Sequence, residues 1–341
     1  SNAFCQNCHP ATGPITASLL PVATVHKGLA RNAEAALYAG ASNGFLIENI
    51  SLSSGTLTVQ YSVTRDGVKQ DLATAPEWTA PGGASRLAVA IGWNTLDYTN
   101  RGSGTSTPAQ PVSINALPSG GVATNVGANV FQVTAALPST ATSSQTITAV
   151  LEGHPAADLT DTGATFADRI AVVNDFMHFN TGTGRTALIP RREVVDVDKC
   201  NKCHDAGGQG ISLHGNNRTS EIQVCVVCHN ADATDIARRP ADPTTALDGK
   251  KEQEIDFKRL VHMIHSGAEL ENGLVVYGFG NAAIDFSHVG FIGNRQNCET
   301  CHLPGTYGAE NAWDALPSTV DTGADRMVST DDLNISPVAA V

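Results

Sequence analysis

All eight cysteines of this 341-residue chain fall in four copies of one pattern, Cys-x-x-Cys-His. The copies are Cys5/Cys8/His9, Cys200/Cys203/His204, Cys225/Cys228/His229 and Cys298/Cys301/His302. With eleven histidines in the chain, chance alone gives about 0.006 copies. Two thiols separated by two residues can both reach one porphyrin edge and add to its vinyl groups. The adjoining imidazole then supplies an axial nitrogen to the iron. Each copy therefore reads as a c-type haem attachment site. The expectation is four covalent haem c groups, with His9, His204, His229 and His302 as proximal ligands. A zinc site could be assembled from Cys200/Cys203 and Cys225/Cys228, but it leaves the repeated histidine without a role. A thioredoxin-like dithiol expects a single motif in a βαβ context.

Seven histidines remain for the distal side: His26, His154, His178, His214, His262, His265 and His288. Four suffice for bis-His ligation throughout. His26 lies in the Ala-rich stretch 25–37, predicted to be helical, and is the local candidate for the first haem. His214, followed by Gly215, sits in a short loop between motifs. In 254–267, Ile255, Phe257, Leu260, Val261 and Ile264 recur at helical spacing and Gly267 is a plausible stop. His262 and His265 leave that helix on faces about 60° apart. They cannot clasp one iron from both sides, but each could serve a different haem in a close pair. His288 precedes Cys298 by ten residues. His154, before Pro155, is expected in a loop, and His178 alternates with Phe176; both are weaker ligand candidates. The only methionines are Met177, Met263 and Met327, so His/Met ligation is the minority expectation. Two imidazoles fill both axial positions, leave no place for a substrate and favour a low potential.

The elements that must position these residues change along the chain. Residues 1–44 read as the end of a haem segment carrying one haem. Residues 45–190 alternate apolar and polar side chains at 45–53 and 56–64, and further strands read at 86–96, 121–137, 145–152 and 169–179. Ser54-Gly55 and Asp66-Gly67 mark turns, and the connectors are rich in Gly, Ser, Thr and Pro. This predicts an all-β Greek-key sandwich or barrel. Residues 191–341 are expected to form a multihaem domain of three haems in irregular and helical segments, truncated at its C-terminus. Such a loop-rich segment cannot easily offset chain entropy with side chains alone, so the porphyrins are expected to supply apolar core.

Thirty-three acidic against 21 basic residues give a net charge of −12, which makes a poor nucleic-acid binder. No run of 18 apolar residues offers a transmembrane segment, and no signal peptide is seen. Ser1-Asn2-Ala3 reads as the remnant of a cleaved tag. Haem joined through cysteines is generally made outside the bacterial cytoplasm. Export is therefore expected, to the cell surface or periplasm of a Gram-negative bacterium.

The chain resembles the OmcA/MtrC-type decahaem outer-membrane cytochromes. The resemblance is carried by Glu152-Gly-His-Pro-Ala, Arg191-Arg-Glu-Val-Val-Asp196 before Cys200, Leu213-His-Gly-Asn-Asn-Arg218, Ile255-Asp-Phe-Lys with His262 and His265, and Asp285-Phe-Ser before Cys298. It covers most of residues 150–341, and the rest more loosely. It implies a split β-barrel beside a pentahaem domain, twice over, with His214, His262 and His265 as distal ligands. His288 departs from the pattern, in which a His precedes the Asp-Phe-Ser run; Ala283 and Ile284 stand there. Four motifs in place of ten imply a piece of a longer chain. The resemblance further implies electron delivery to ferric iron minerals, chelated iron or flavins, with other multihaem cytochromes of an outer-membrane conduit as partners.

The reading is an electron-transfer protein with no catalytic residues of its own. The alternative is a multihaem reductase of nitrite or a sulfur oxyanion. That needs one open distal position and nearby proton donors, and no Lys replaces a proximal His in any motif. A third class, adhesion through the β domain, predicts binding by residues 45–190 alone.

Overall fold

A computed structural model describes residues 43–79, 84–102, 109–142, 146–157, 168–182, 188–204, 210–308 and 311. The first haem motif (Cys5, Cys8, His9), the candidate His26 and the predicted helix 25–37 lie outside the described residues.

The alternating stretches fold as their period dictates. Strands β1 (Gly44–Ser53) and β2 (Thr56–Arg65) pair antiparallel around Ser54 and Gly55, both with positive φ (50° and 77°). Asp66 and Gly67 then turn the chain into β3 (Val68–Lys69). Strands β4 (Arg86–Trp93) and β5 (Val112–Asn115) belong to a second sheet. Strands β6 (Thr124–Gly127) and β7 (Val130–Ala136) return to the first. β8 (Thr146–His154) and β11 (Asp175–Asn180) complete the second sheet, and the short β9 (Ala156–Ala157) and β10 (Asp168–Arg169) pair between them. The orders are β1-β2-β7-β6 and β11-β8-β4-β5. One-turn helices α1 (Pro76–Thr79) and α2 (Ser139–Thr142) fill connectors.

Ile47, Leu57, Val59 and Tyr61 of one sheet meet Leu87, Val89, Ile91, Trp93 and Leu151 of the other in one buried core. The result is an open sandwich; the strands do not close into a barrel. Three stretches differ from expectation. The strand expected over 121–137 is a hairpin, folded at Ala128 and Asn129 (φ 51° and 56°) without an Asn-Gly signal. The stretch 169–179 breaks because Ile170 bonds to the Pro155 carbonyl and Asn174 pairs with Thr219. β5 follows directly on a connector expected to be irregular.

Every residue of β8 is buried, although its side chains alternate between two faces. Ile147, Ala149 and Leu151 enter the sandwich core. Thr148, Val150 and Glu152 point the other way, toward the haem-motif segment. There α3 (Val197–His204), α4 (Ile222–Cys228) and α5 (Phe257–His265) alternate with the hairpins β12–β13 (Ser212–Leu213, Arg218–Thr219) and β14–β15 (Val275–Tyr277, Ala283–Asp285). Val224, Val226 and Val227 of α4 pack on Ala90, Tyr98 and Val150. The second sheet is thus covered on both sides. Gly92 makes the seat: a Cβ there would stand 3.2 Å from both Tyr98 and Val227. No helix among the described residues is long and apolar enough to cross a membrane.

Gly92→Leu is expected to wedge α4 off the sheet, lowering stability by about 1–3 kcal/mol in a urea titration followed by far-ultraviolet circular dichroism. An unchanged midpoint would mean that this contact does not seat the helix.

Candidate haem-binding site

The Cys-x-x-Cys-His spacing works through helical geometry. Cys200 and Cys203 lie in the last two turns of α3, and Cys225 and Cys228 in those of α4. Positions three apart share a helix face, so each thiol pair points one way and the following imidazole emerges at the helix end. Glu221 caps α4 by accepting from the Gln223 amide at 2.8 Å. Cys298 opens a single 3₁₀ turn instead, held by the bond from the Cys301 amide to the Cys298 carbonyl. Burial pushes the Cys225 and Cys228 thiols up to about 12 and Cys200 to about 11.

Each described proximal histidine is faced by one histidine from elsewhere. His214 lies opposite His229, His265 opposite His204, and His262 opposite His302, with ring centroids 6.0 Å apart in every pair. Two imidazoles bound to opposite sides of one metal, with nitrogens ~2 Å from it, have centroids about 6 Å apart. The three gaps therefore fit an iron with two axial imidazoles. His262 and His265, one turn apart on α5, go to different partners. Those partners are neighbours: Val195 forms an antiparallel bridge with His302, the Asp196 amide bonds to the Cys301 carbonyl at 3.0 Å, and Lys199 Nζ donates to the His302 carbonyl at 2.6 Å.

Several rings are fixed through Nδ1. His229 donates to the Ile255 carbonyl and His265 to the Val261 carbonyl, both at 2.8 Å, and His262 donates to the Lys258 carbonyl. A carbonyl only accepts, so Nδ1 carries the proton and Nε2 keeps the lone pair a metal needs. Burial lowers the basicity of His204, His229 and His302, and pushes His214 down to about 4. Neutral imidazole is the ligating form. His302 differs in that its Nδ1 is buried without a hydrogen-bond partner.

His214 sits in the turn of β12–β13 with φ 54°, a left-handed conformation that is uncommon outside glycine. Arg218, on the return strand, forks onto the buried Glu152 carboxylate of β8, with Nε and Nη2 each 2.6 Å from an oxygen. Arg86 stands 3.5 Å from the same group. Sequence reasoning did not see this contact, although its signal was present. Glu152 is the one charged residue in the otherwise apolar or neutral run Thr-Ile-Thr-Ala-Val-Leu-Glu-Gly, where a carboxylate requires a partner.

The other candidates are placed differently. His288 is exposed beside Asp285, while the three described proximal rings all face other histidines. His178 bonds through Nδ1 to Thr148 Oγ1 at 2.7 Å and lies edge-on to Phe176. His154 is buried at the end of β8, not in a loop, with Nδ1 3.2 Å from the Pro155 carbonyl.

Paired thiols, a following histidine and an opposed second histidine, repeated three times, are the arrangement that a multihaem c-type cytochrome would need. Residues 192–341 match the family model of outer membrane cytochrome MtrC/MtrF-like domains II/IV. That match covers a little under half of the chain, so it is this segment that is similar to the MtrC/MtrF-like outer-membrane cytochromes. Two solved structures are similar. One is the outer membrane decaheme cytochrome OmcA (18% identity, TM-score 0.49, covering 79% of this chain and 41% of that one). The other is MtrC from Shewanella baltica OS185 (17%, 0.48, 72% and 41%). The chain thus spans about two fifths of either structure. No curated protein matches it.

Burial holds His154 down at about 4, against about 6.5 when unfolded. The unfolded chain therefore takes up a proton first as the pH falls. The resulting stability is complete above about pH 6.5 and is lost towards pH 4. Between pH 7 and 4.5, wild type should lose about 2 kcal/mol more than His154→Gln, read by urea titration at each pH. Parallel losses in the two proteins would show that His154 is protonated in the folded state.

Proposed function

We propose that this chain carries electrons through haem c groups with two histidine ligands each and passes them to extracellular acceptors. The observation that supports this best is the set of three opposed imidazole pairs at one spacing of 6.0 Å. The assigned ligand sets are Cys200, Cys203, His204 and His265; Cys225, Cys228, His229 and His214; and Cys298, Cys301, His302 and His262. A fourth set, Cys5, Cys8 and His9 with His26, follows from the sequence pattern. Haem c supplies one-electron chemistry at these positions. The chain's own residues would offer two imidazole nitrogens to each iron, leave no room there for a further ligand and keep the imidazoles neutral. The sandwich, residues 45–190, serves as scaffold for the haem segment.

The resemblance of residues 192–341 to outer-membrane cytochromes favours ferric minerals, chelated iron or flavins as acceptors, other multihaem cytochromes as donors, and a cell-surface location. A small-molecule reductase would need an open axial position. All three described proximal histidines have a facing histidine, which favours the electron-transfer reading.

The haem-loaded protein, reduced with dithionite and freed of excess reductant, should be fully re-oxidised in a stopped-flow instrument by ferric citrate and by flavin mononucleotide. Nitrite and tetrathionate should leave it reduced. Rapid, saturable re-oxidation by nitrite or tetrathionate, with none by ferric citrate, would reverse the assignment.

A further inference from the structure

The hairpin bearing His214 cannot hold its own shape. Each strand contributes only two residues, and His214, Gly215 and Asn216 are all left-handed (φ 54°, 69° and 68°). Its open end is fastened to α3, where Asn201 bonds to Ile211 and Ser220. The turn is fastened to the sandwich. The Gly153 amide donates to the Asn217 carbonyl at 3.0 Å, Asn216 Nδ2 donates to the Arg169 carbonyl at 2.8 Å, and Asn174 exchanges two bonds with Thr219. The only charge among these ties is the Arg218 fork on Glu152. The Glu152 side chain is 2% exposed.

The partner ring is referred to the same strand. His229 ends α4, whose valines pack on Val150. Residues 150 and 152 project from one face of β8 about 7 Å apart. One side chain thus seats the helix carrying His229, and the other seats the hairpin carrying His214. The remaining two pairs draw their distal rings from α5.

We infer that Glu152 is a positioning residue: acting through Arg218, it holds the hairpin so that His214 faces His229. The sandwich thereby sets the distal side of the Cys225/Cys228 site. This rests on the proposed ligation of that site by His214 and His229. A two-pronged ionic contact suits the task. It fixes direction as well as distance, and in a buried setting it serves placement more than net stability.

The test uses the full haem-loaded chain. Carbon monoxide bound per protein is measured in the reduced state, and the high-spin signal in electron paramagnetic resonance of the ferric state. Glu152→Ala should bind one carbon monoxide more than wild type, as should His214→Ala, with a matching high-spin signal. Glu152→Gln keeps one acceptor oxygen and should open the site in only a fraction of molecules. It also decides the matter if Glu152→Ala fails to accumulate with haem. Leu151→Ala, one residue away in the sandwich core, should loosen the fold without opening the site. If His214→Ala binds the extra molecule and both Glu152 variants do not, the positioning role is wrong and the ligand assignment stands. If His214→Ala also binds none, the ligand assignment itself fails. If Leu151→Ala opens the site as fully as Glu152→Ala, general loosening explains the effect and the inference falls.

Discussion

A gap of 6.0 Å between two imidazole rings is held at three places in the haem-motif segment, and by two different devices. The near ring of each pair is set locally, because Cys-x-x-Cys-His fixes it relative to two thiols. The far ring comes from elsewhere in the chain and has to be placed to within a fraction of an ångström. For His204 and His302 one helix does this twice. Positions three apart on α5 diverge by about 60°, enough for His265 and His262 to face different partners. That works only because residues 194–196 pair with 301–303, bringing together two motifs almost a hundred residues apart. For His229 the far ring sits on a short hairpin held by the sandwich.

The second sheet is therefore more than a spacer. One face of β8 completes a conventional apolar core, and the other receives α4 and the β12–β13 hairpin. A sheet buried on both faces favours a largely apolar strand; in β8 the buried polar residues are Thr146, Thr148, Glu152 and His154, and the charged one is Glu152. The haem-motif segment has far less apolar core and relies on fixed polar groups. Arg239, fully buried, is held by Asp235 and Asp248 through four bonds between 2.6 and 2.9 Å, and lies over the Tyr277 ring. A buried charge is tolerated only when its partners satisfy it to this degree.

Much of this was legible in the residues. The alternation at 45–53 and 56–64 located β1 and β2, and Asp66-Gly67 located their exit. The helix carrying His262 and His265, with its two rings turned to different partners, followed from a three-residue spacing. What could not be read was partnership. Nothing local says that His265 faces His204 and His262 faces His302, since the order depends on how 194–196 meets 301–303. The hairpin at Ala128 and Asn129 escaped because its left-handed turn lacks the usual glycine. Glu152 stood out as a charge in an apolar strand, but its partner lies 66 residues away. His154 and His178, ambiguous in sequence, are engaged within the β domain.

The most direct measurement of the central claim is the absorption spectrum of the haem-loaded, dithionite-reduced protein with and without carbon monoxide, normalised to haem content. If opposed histidines hold the iron at each described site, the spectrum is low-spin and carbon monoxide leaves it unchanged at all three. Carbon monoxide binding at two or three haems per protein would contradict the account, because the facing rings would then not be ligands.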